Sequence, residues 1–166
     1  MRDLTEELFR YSMAAAAAEE MTRQPVSVKD VLEQSLAGFY GSLTEKGISP
    51  EICLPNGPVV RNLDPAALRR IFDNLLNNAL KYSDGDLRVS LTEAGEAVFS
   101  NAAGKLDCVQ TQRLFDRFYT VETASGSTGL GLSIAHMLVE KMGGEIGAEY
   151  VSGRLRIFVR FPEAAR

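Results

Sequence analysis

The chain has 166 residues, 45% of them hydrophobic and 24% charged, with a formal net charge of −4. That length holds one domain with a real core, and that hydrophobic share excludes a disordered chain. The acidic balance and scattered Lys and Arg leave no basic footprint for nucleic acid, and the longest apolar run, residues 13–18, is too short to span a bilayer. Cys53 and Cys108 show no metal spacing and read as reduced cytoplasmic thiols, and the start carries no basic-then-apolar leader.

Taken in order, residues 3–23 predict one helix, with Leu4, Leu8 and Tyr11 as an apolar stripe. Two readings stay open for it: a residual dimerisation stripe, or a terminal segment with a frayed end. Residues 25–28 suit a short edge strand with Pro25 at its start. Leu32, Leu36, Phe39 and Leu43 mark an amphipathic helix over residues 31–46, stopped by Gly47. Residues 48–54 and 59–62 read as a strand pair around the turn Pro55-Asn-Gly-Pro58. Asp64 caps a helix that Pro65 opens. Residues 83–86 form a turn, and the alternating stretches 87–92 and 97–100 make a hairpin around Ala94-Gly95. Residues 107–115 predict a short helix, and residues 145–151 and 155–161 a second hairpin around Ser152-Gly153. Hairpins and helices without regular βαβ alternation imply an α/β two-layer sandwich.

The helix opened by Pro65 carries the strongest signal. Leu68, Ile71, Phe72, Leu75, Leu76 and Ala79 recur at helix spacing and make its apolar face. Asn74, Asn78, Lys81 and Tyr82 share a neighbouring face. Asn is a poor helix former, because its side chain competes for backbone hydrogen bonds. Asn74, Asn77 and Asn78 within two turns therefore suggest a use for the amides; a merely solvated face is the plainer alternative. An Asn oxygen is a hard ligand suited to Mg²⁺, and a Lys one turn on attracts phosphate. A second segment, Ser127-Thr-Gly-Leu-Gly-Leu-Ser-Ile-Ala135, puts glycines just ahead of a helical pattern. Helix starts expose unpaired N–H groups at a positive dipole end, and glycine lets a phosphate approach the backbone. A Gly-x-Gly turn alone is weak, and this one lacks the marks of a P-loop or a dinucleotide fingerprint.

Together these segments resemble the ATP-binding catalytic domain of sensor histidine kinases, within the wider gyrase/Hsp90/histidine kinase/MutL ATPase superfamily. Asn74-Leu-Leu-Asn-Asn78-Ala-Leu-Lys-Tyr82 resembles the N box, Leu114-Phe-Asp-Arg-Phe-Tyr119 the F box, and Thr128-Gly-Leu-Gly-Leu132 the second glycine box. Met142-Gly-Gly-Glu-Ile146 matches the helix end and strand that follow. The match runs over residues 25–162 with order and spacing preserved.

The resemblance implies a Bergerat-type fold, a mixed sheet with helices on one face, preceded by an N-terminal helix. Residues 1–24 then correspond to the end of a dimerisation helix and its linker, and residues 25–166 to the catalytic domain. It implies Mg²⁺–ATP, with Asn78 ligating the metal and Asn74 assisting, Lys81 neutralising phosphate and Tyr82 packing by the nucleotide. Thr128, Gly129, Leu130 and Gly131 fall in the phosphate-binding box. Arg117 is a candidate to meet the phosphoacceptor side, with a surface ion pair as the alternative. Phe115 and Phe118 read as packing for the hinge of a lid. The implied partners are a histidine-bearing dimerisation domain and, indirectly, a response regulator. A candidate homodimer in the full-length protein goes with them, with no nucleic acid and no membrane contact by this segment. The implied location is cytoplasmic, in a protein anchored to a membrane. His136 lacks the acceptor pattern and reads as an ordinary helical residue.

The first glycine box departs from the family's Asp-x-Gly-x-Gly. Here it reads Asn101-Ala-Ala-Gly-Lys105, with Asn101 in the Asp position and Gly104 out of register. An amide oxygen still accepts from the adenine amine, without the charge. That retained contact is the preferred reading; turn residues after a strand are the other. The lid segment, residues 120–127, carries no Lys or Arg. An altered box and an uncharged lid also fit a non-catalytic nucleotide-binding or docking module. The superfamily's hydrolases place a water-activating Glu where this chain has Asn74, which cannot act as a general base. A histidine acceptor needs no strong base, so the chemistry favours a histidine kinase.

Overall fold

The computed structural model describes residues 4–104, 107–115 and 131–163. In chain order its elements are α1 (Leu4–Glu19), β1 (Gln24–Ser27), α2 (Val28–Glu45), β2 (Glu51–Cys53), β3 (Val60–Leu63), α3 (Pro65–Tyr82), β4 (Arg88–Leu91), β5 (Glu96–Ala102), α4 (Cys108–Gln112), α5 (Gly131–Lys141), β6 (Glu145–Val151) and β7 (Arg154–Arg160).

Strands β2-β4-β5-β7-β6 form one five-stranded sheet, and β1 with β3 a separate two-stranded one. The large sheet is mixed: β2 runs parallel to β4, and the other pairs are antiparallel. Its two faces differ because strand side chains alternate. Val89, Leu91, Ala97, Phe99, Leu155, Ile157 and Val159 point into the core. Phe99 meets Phe72 of α3 at 6.0 Å between ring centroids. The opposite face is laced with ion pairs, among them Arg160–Glu96 at 2.7 Å and Arg156–Glu149 at 3.3 Å. Helices α2 and α5 each pack against α3, and α3 lies on β5. This is the two-layer α/β sandwich the sequence predicts.

Helix α3 forms as expected. Asp64 is its N-cap, accepting from the Ala67 N–H at 3.0 Å, and Pro65 occupies the first turn. The apolar face expected from the spacing is buried throughout, with Leu68, Ile71, Phe72 and Leu76 at 0% exposure. The second oxygen of Asp64 accepts from the Thr22 N–H at 3.0 Å. Arg23 donates to the Lys141 carbonyl at the end of α5, where the helix leaves oxygens unpaired. The α1–β1 connection is thus fastened to one end of α3 and one end of α5.

Three expectations need correction. Helix α1 stops at Glu19 rather than at residue 23, and residues beyond it serve those two contacts. Helix α2 begins at Val28, before the expected residue 31, because Ser27 accepts from the Asp30 N–H at 3.3 Å and caps it. The strands on either side of Pro55-Asn-Gly-Pro58 do not pair with each other: β2 joins β4, and β3 joins β1. Pro55 and Pro58 have no N–H to donate to a ladder, so each strand finds its partner elsewhere.

One buried charge locks this lower corner. Arg61, 5% exposed, donates from Nε to the Phe161 carbonyl at 2.9 Å. It also reaches the carbonyls of Val60, at 2.8 Å, and Glu93, at 3.4 Å. Gly95, at φ 88°, lies so close that a Cβ there would sit 2.6 Å from the Phe161 oxygen and 2.8 Å from the guanidinium.

Candidate functional site

The sequence-selected residues of α3 are brought to one place by the helix repeat and by the docking of α5. Asn74 donates from Nδ2 to the Gly131 carbonyl at 2.9 Å, tying α3 to the first residue of α5. Gly131 is exposed, at the helix end where N–H groups lack intrahelical partners. One turn along from Asn74, Asn78 is only 6% exposed. Among the described residues no hydrogen bond engages its amide. Among the described residues the side-chain atoms sealed from solvent without a partner are Ser35 Oγ and Arg154 Nη2, so the Asn78 amide keeps an opening to solvent. Lys81 holds its ammonium over the Tyr82 ring, 4.9 Å from the centroid, and Tyr82 is itself 9% exposed.

Asn101 enters from the sheet. It lies within β5, which removes the turn-residue alternative for Asn101, whereas Gly104 does lie in a turn after the strand. It is 2% exposed and shares its strand face with Ala97 and Phe99, where the alternation calls for an apolar side chain. Its Nδ2 donates to the Ala102 carbonyl at 3.1 Å. Arg117, Thr128, Gly129 and Leu130 lie outside the described residues.

Sequence reasoning missed a clamp beside Asn101. The turn after α3 supplies two carboxylates to the strand end. Asp86 accepts from the Ala102 N–H at 2.6 Å and from Arg154 Nη1 at 2.8 Å. Asp84 accepts from the Gly104 N–H at 2.7 Å, while its own N–H donates to the Ala102 carbonyl at 2.8 Å. Tyr150 donates its hydroxyl to the Ala103 carbonyl at 2.9 Å. Burial alone would push the Asp86 carboxyl up, but the Ala102 N–H, the Arg154 guanidinium and the more distant Arg88 outweigh it. The net result lies below the usual value of 3.8. Asp-Gly-Asp after a helix reads as turn chemistry, and Arg154 is 68 positions away, so no local signal announces the clamp.

The described residues contain no cluster of three or more His, Cys, Asp or Glu able to hold a metal. Asn78, whose amide no described residue engages, offers an oxygen suited to a hard cation. His136 sits outside this set, against the Phe115 ring at 5.6 Å and beside Glu140 at 3.3 Å. No helix among the described residues is long and apolar enough to cross a membrane.

Residues 63–165 match the family model described as histidine kinase-, DNA gyrase B-, and HSP90-like ATPase. The chain belongs to this family. Within it, the resemblance to sensor histidine kinases holds. The chain is 32% identical over 169 residues to the signal transduction histidine-protein kinase BaeS of Escherichia coli, covering 96% of this chain and 36% of that protein. It is 31% identical over 165 residues to the sensor histidine kinase YcbM of Bacillus subtilis, covering 90% of this chain and 53% of that one. The chain therefore spans between about a third and about half of these relatives' length. Among solved structures, the Acinetobacter baumannii histidine kinase AdeS superposes with a TM-score of 0.76 at 19% identity, over 98% of this chain and 80% of that one, and shows the fold. Full-length ShkA in complex with AMPPNP superposes with a TM-score of 0.74 at 25% identity, over 98% of this chain and 36% of that one. The chain is thus an ATP-binding catalytic module of the sensor histidine kinase type.

Proposed function

We propose that this module binds Mg²⁺–ATP and passes the γ-phosphoryl group to a histidine on a dimerisation domain, from which a response regulator takes it. The observation that carries the reading is the largely enclosed Asn78, whose amide no described residue engages, one turn from an Asn74 that joins the N-box helix to the start of α5. Asn78 would hold Mg²⁺ through its oxygen, with Asn74 assisting; the ion, when bound, supplies neutralisation of phosphate charge. Phosphoryl transfer is mostly positioning and charge stabilisation, so the protein's part is to hold and orient. Lys81 faces the phosphates and Tyr82 flanks the nucleotide. Asn101 accepts from the adenine amine, and Thr128, Gly129, Leu130 and Gly131 hold phosphate oxygens. Arg117 is assigned to the acceptor side.

Hydrolysis is disfavoured by the same helix. Asn74 stands where a water-activating carboxylate is needed, and the neighbouring Asp73 is paired with Arg69 at 3.1 Å. His136, the one histidine of the sequence, is engaged with Phe115 and Glu140, so the acceptor belongs to another domain. The relatives named above are kinases, which leaves the docking-module alternative without support. We place the module on the cytoplasmic side of a membrane-anchored sensor. Mixing the chain with its cognate histidine-bearing fragment and γ-labelled ATP tests the proposal. An acid-labile, base-stable phosphoprotein is expected, and its absence with the cognate fragment overturns the reading.

A further inference from the structure

Resting on that nucleotide reading, we infer that Asp86 is a positioning residue for base selection. Through the Ala102 peptide it fixes Asn101 so that Oδ1 is presented to the base, selecting a 6-aminopurine over a 6-oxopurine.

An amide side chain is ambidextrous: its oxygen accepts and its nitrogen donates. Left free, Asn101 could turn Oδ1 toward the amine of adenine or Nδ2 toward the oxygen of hypoxanthine. The Ala102 carbonyl removes the choice. A carbonyl oxygen only accepts, so the 3.1 Å bond to it must be made by Nδ2, and Oδ1 is left for a ligand. That carbonyl is held in turn. Its own peptide is gripped at the N–H by Asp86 at 2.6 Å and at the oxygen by the Asp84 N–H at 2.8 Å. Asp86 is oriented by Arg154 Nη1 at 2.8 Å, and Arg154 Nε donates to Ser100 Oγ at 3.3 Å. The next peptide is fixed as well, with the Ala103 N–H donating to the Gly153 carbonyl at 2.9 Å. Side chains therefore pin the backbone at Ala102 and Gly104, and the pinned carbonyl sets the hand of the amide. Against a 6-oxopurine the fixed Oδ1 faces another acceptor, leaving two buried oxygens unpaired.

The test is calorimetric titration of the full chain with Mg²⁺–ADP and with Mg²⁺–inosine diphosphate. Wild type should prefer ADP by about tenfold or more, the scale of one hydrogen bond against a buried mismatch. Asp86→Ala should cut that ratio at least about fivefold, by weakening ADP and admitting the inosine nucleotide. Asp86→Asn, whose amide oxygen still accepts the Ala102 N–H, should restore most of the preference. Arg154→Met reads the same ratio should Asp86→Ala fail to melt cooperatively. Equal loss for both nucleotides, or an unchanged ratio, means a merely structural clamp and overturns the inference while leaving the nucleotide reading standing. Wild-type protein that binds neither nucleotide sinks both.

Discussion

Arg61 and Asn78 are both polar and both nearly sealed from solvent, at 5% and 6% exposure, yet their surroundings are opposite. Around Arg61 the protein supplies the carbonyls of Phe161, Val60 and Glu93. To the Asn78 side chain no described residue supplies a hydrogen bond. A buried polar group that the fold answers is part of the fold; on the function proposed above, the Asn78 amide is left to a ligand. On the proposed function, the structural corner and the nucleotide site differ in what the protein provides.

The sharpest way to break this contrast is to remove each group. Asn78→Ala should weaken Mg²⁺–ADP at least about a hundredfold, while the melting temperature stays nearly level, because no hydrogen bond to a described residue is lost. Calorimetry and a thermal melt on the same sample read both. Arg61→Met should do the reverse, losing about 2–4 kcal/mol of stability in urea unfolding as carbonyls lose their donor, with nucleotide affinity per folded molecule retained. Gly95→Ala strains a positive-φ position and crowds the same guanidinium, so a smaller stability loss of about 1–3 kcal/mol is expected, again without a binding change.

The Asp86 clamp lies between the two regions, and acid sharpens its place. Its native carboxyl sits below the usual 3.8, so the unfolded chain takes up that proton first as pH falls. Its stabilising contribution is complete well above the unfolded value, begins to fade below about pH 5, and is lost as pH passes down through the native value. Urea midpoints of wild type should show this acid loss, and those of Asp86→Asn should lack it. The smallest effect belongs to Ser35, fully buried on α2 with a hydroxyl that has no partner. Ser35→Ala should be neutral or stabilising by up to about 1 kcal/mol, and loss of stability would show that an unpaired buried group can be structural after all.

Much of this was legible in the sequence where the signals are local. The apolar spacing of α3, its Asp64-Pro65 start and the amides one turn apart needed no partner to be read. The hairpins around Gly95 and Ser152-Gly153 were equally local. The fates of β2 and β3 were not, because each strand is short and pairs with an element remote in sequence. Asn101 stood in an alternating run with Ala97 and Phe99, which marks its side as the inner one; whether the strand continued that far was a tertiary matter. The Asp86–Arg154 pair was invisible for the same reason, a contact between a helix-end turn and the last strand. The phosphate box at Thr128, Gly129 and Leu130, and Arg117, rest on motif spacing, since they lie outside the described residues.

The central claim is that the Asn78 amide receives the metal of a bound nucleotide. Mn²⁺ shares the oxygen preference of Mg²⁺ and broadens nearby nuclei, so side-chain amide and guanidinium resonances followed during titration with Mn²⁺–ADP test it directly. The account predicts that the Asn78 side-chain amide broadens first and most, with Asn74 next and the Arg61 guanidinium unaffected. Broadening centred elsewhere, with the Asn78 amide left sharp at saturating nucleotide, contradicts it.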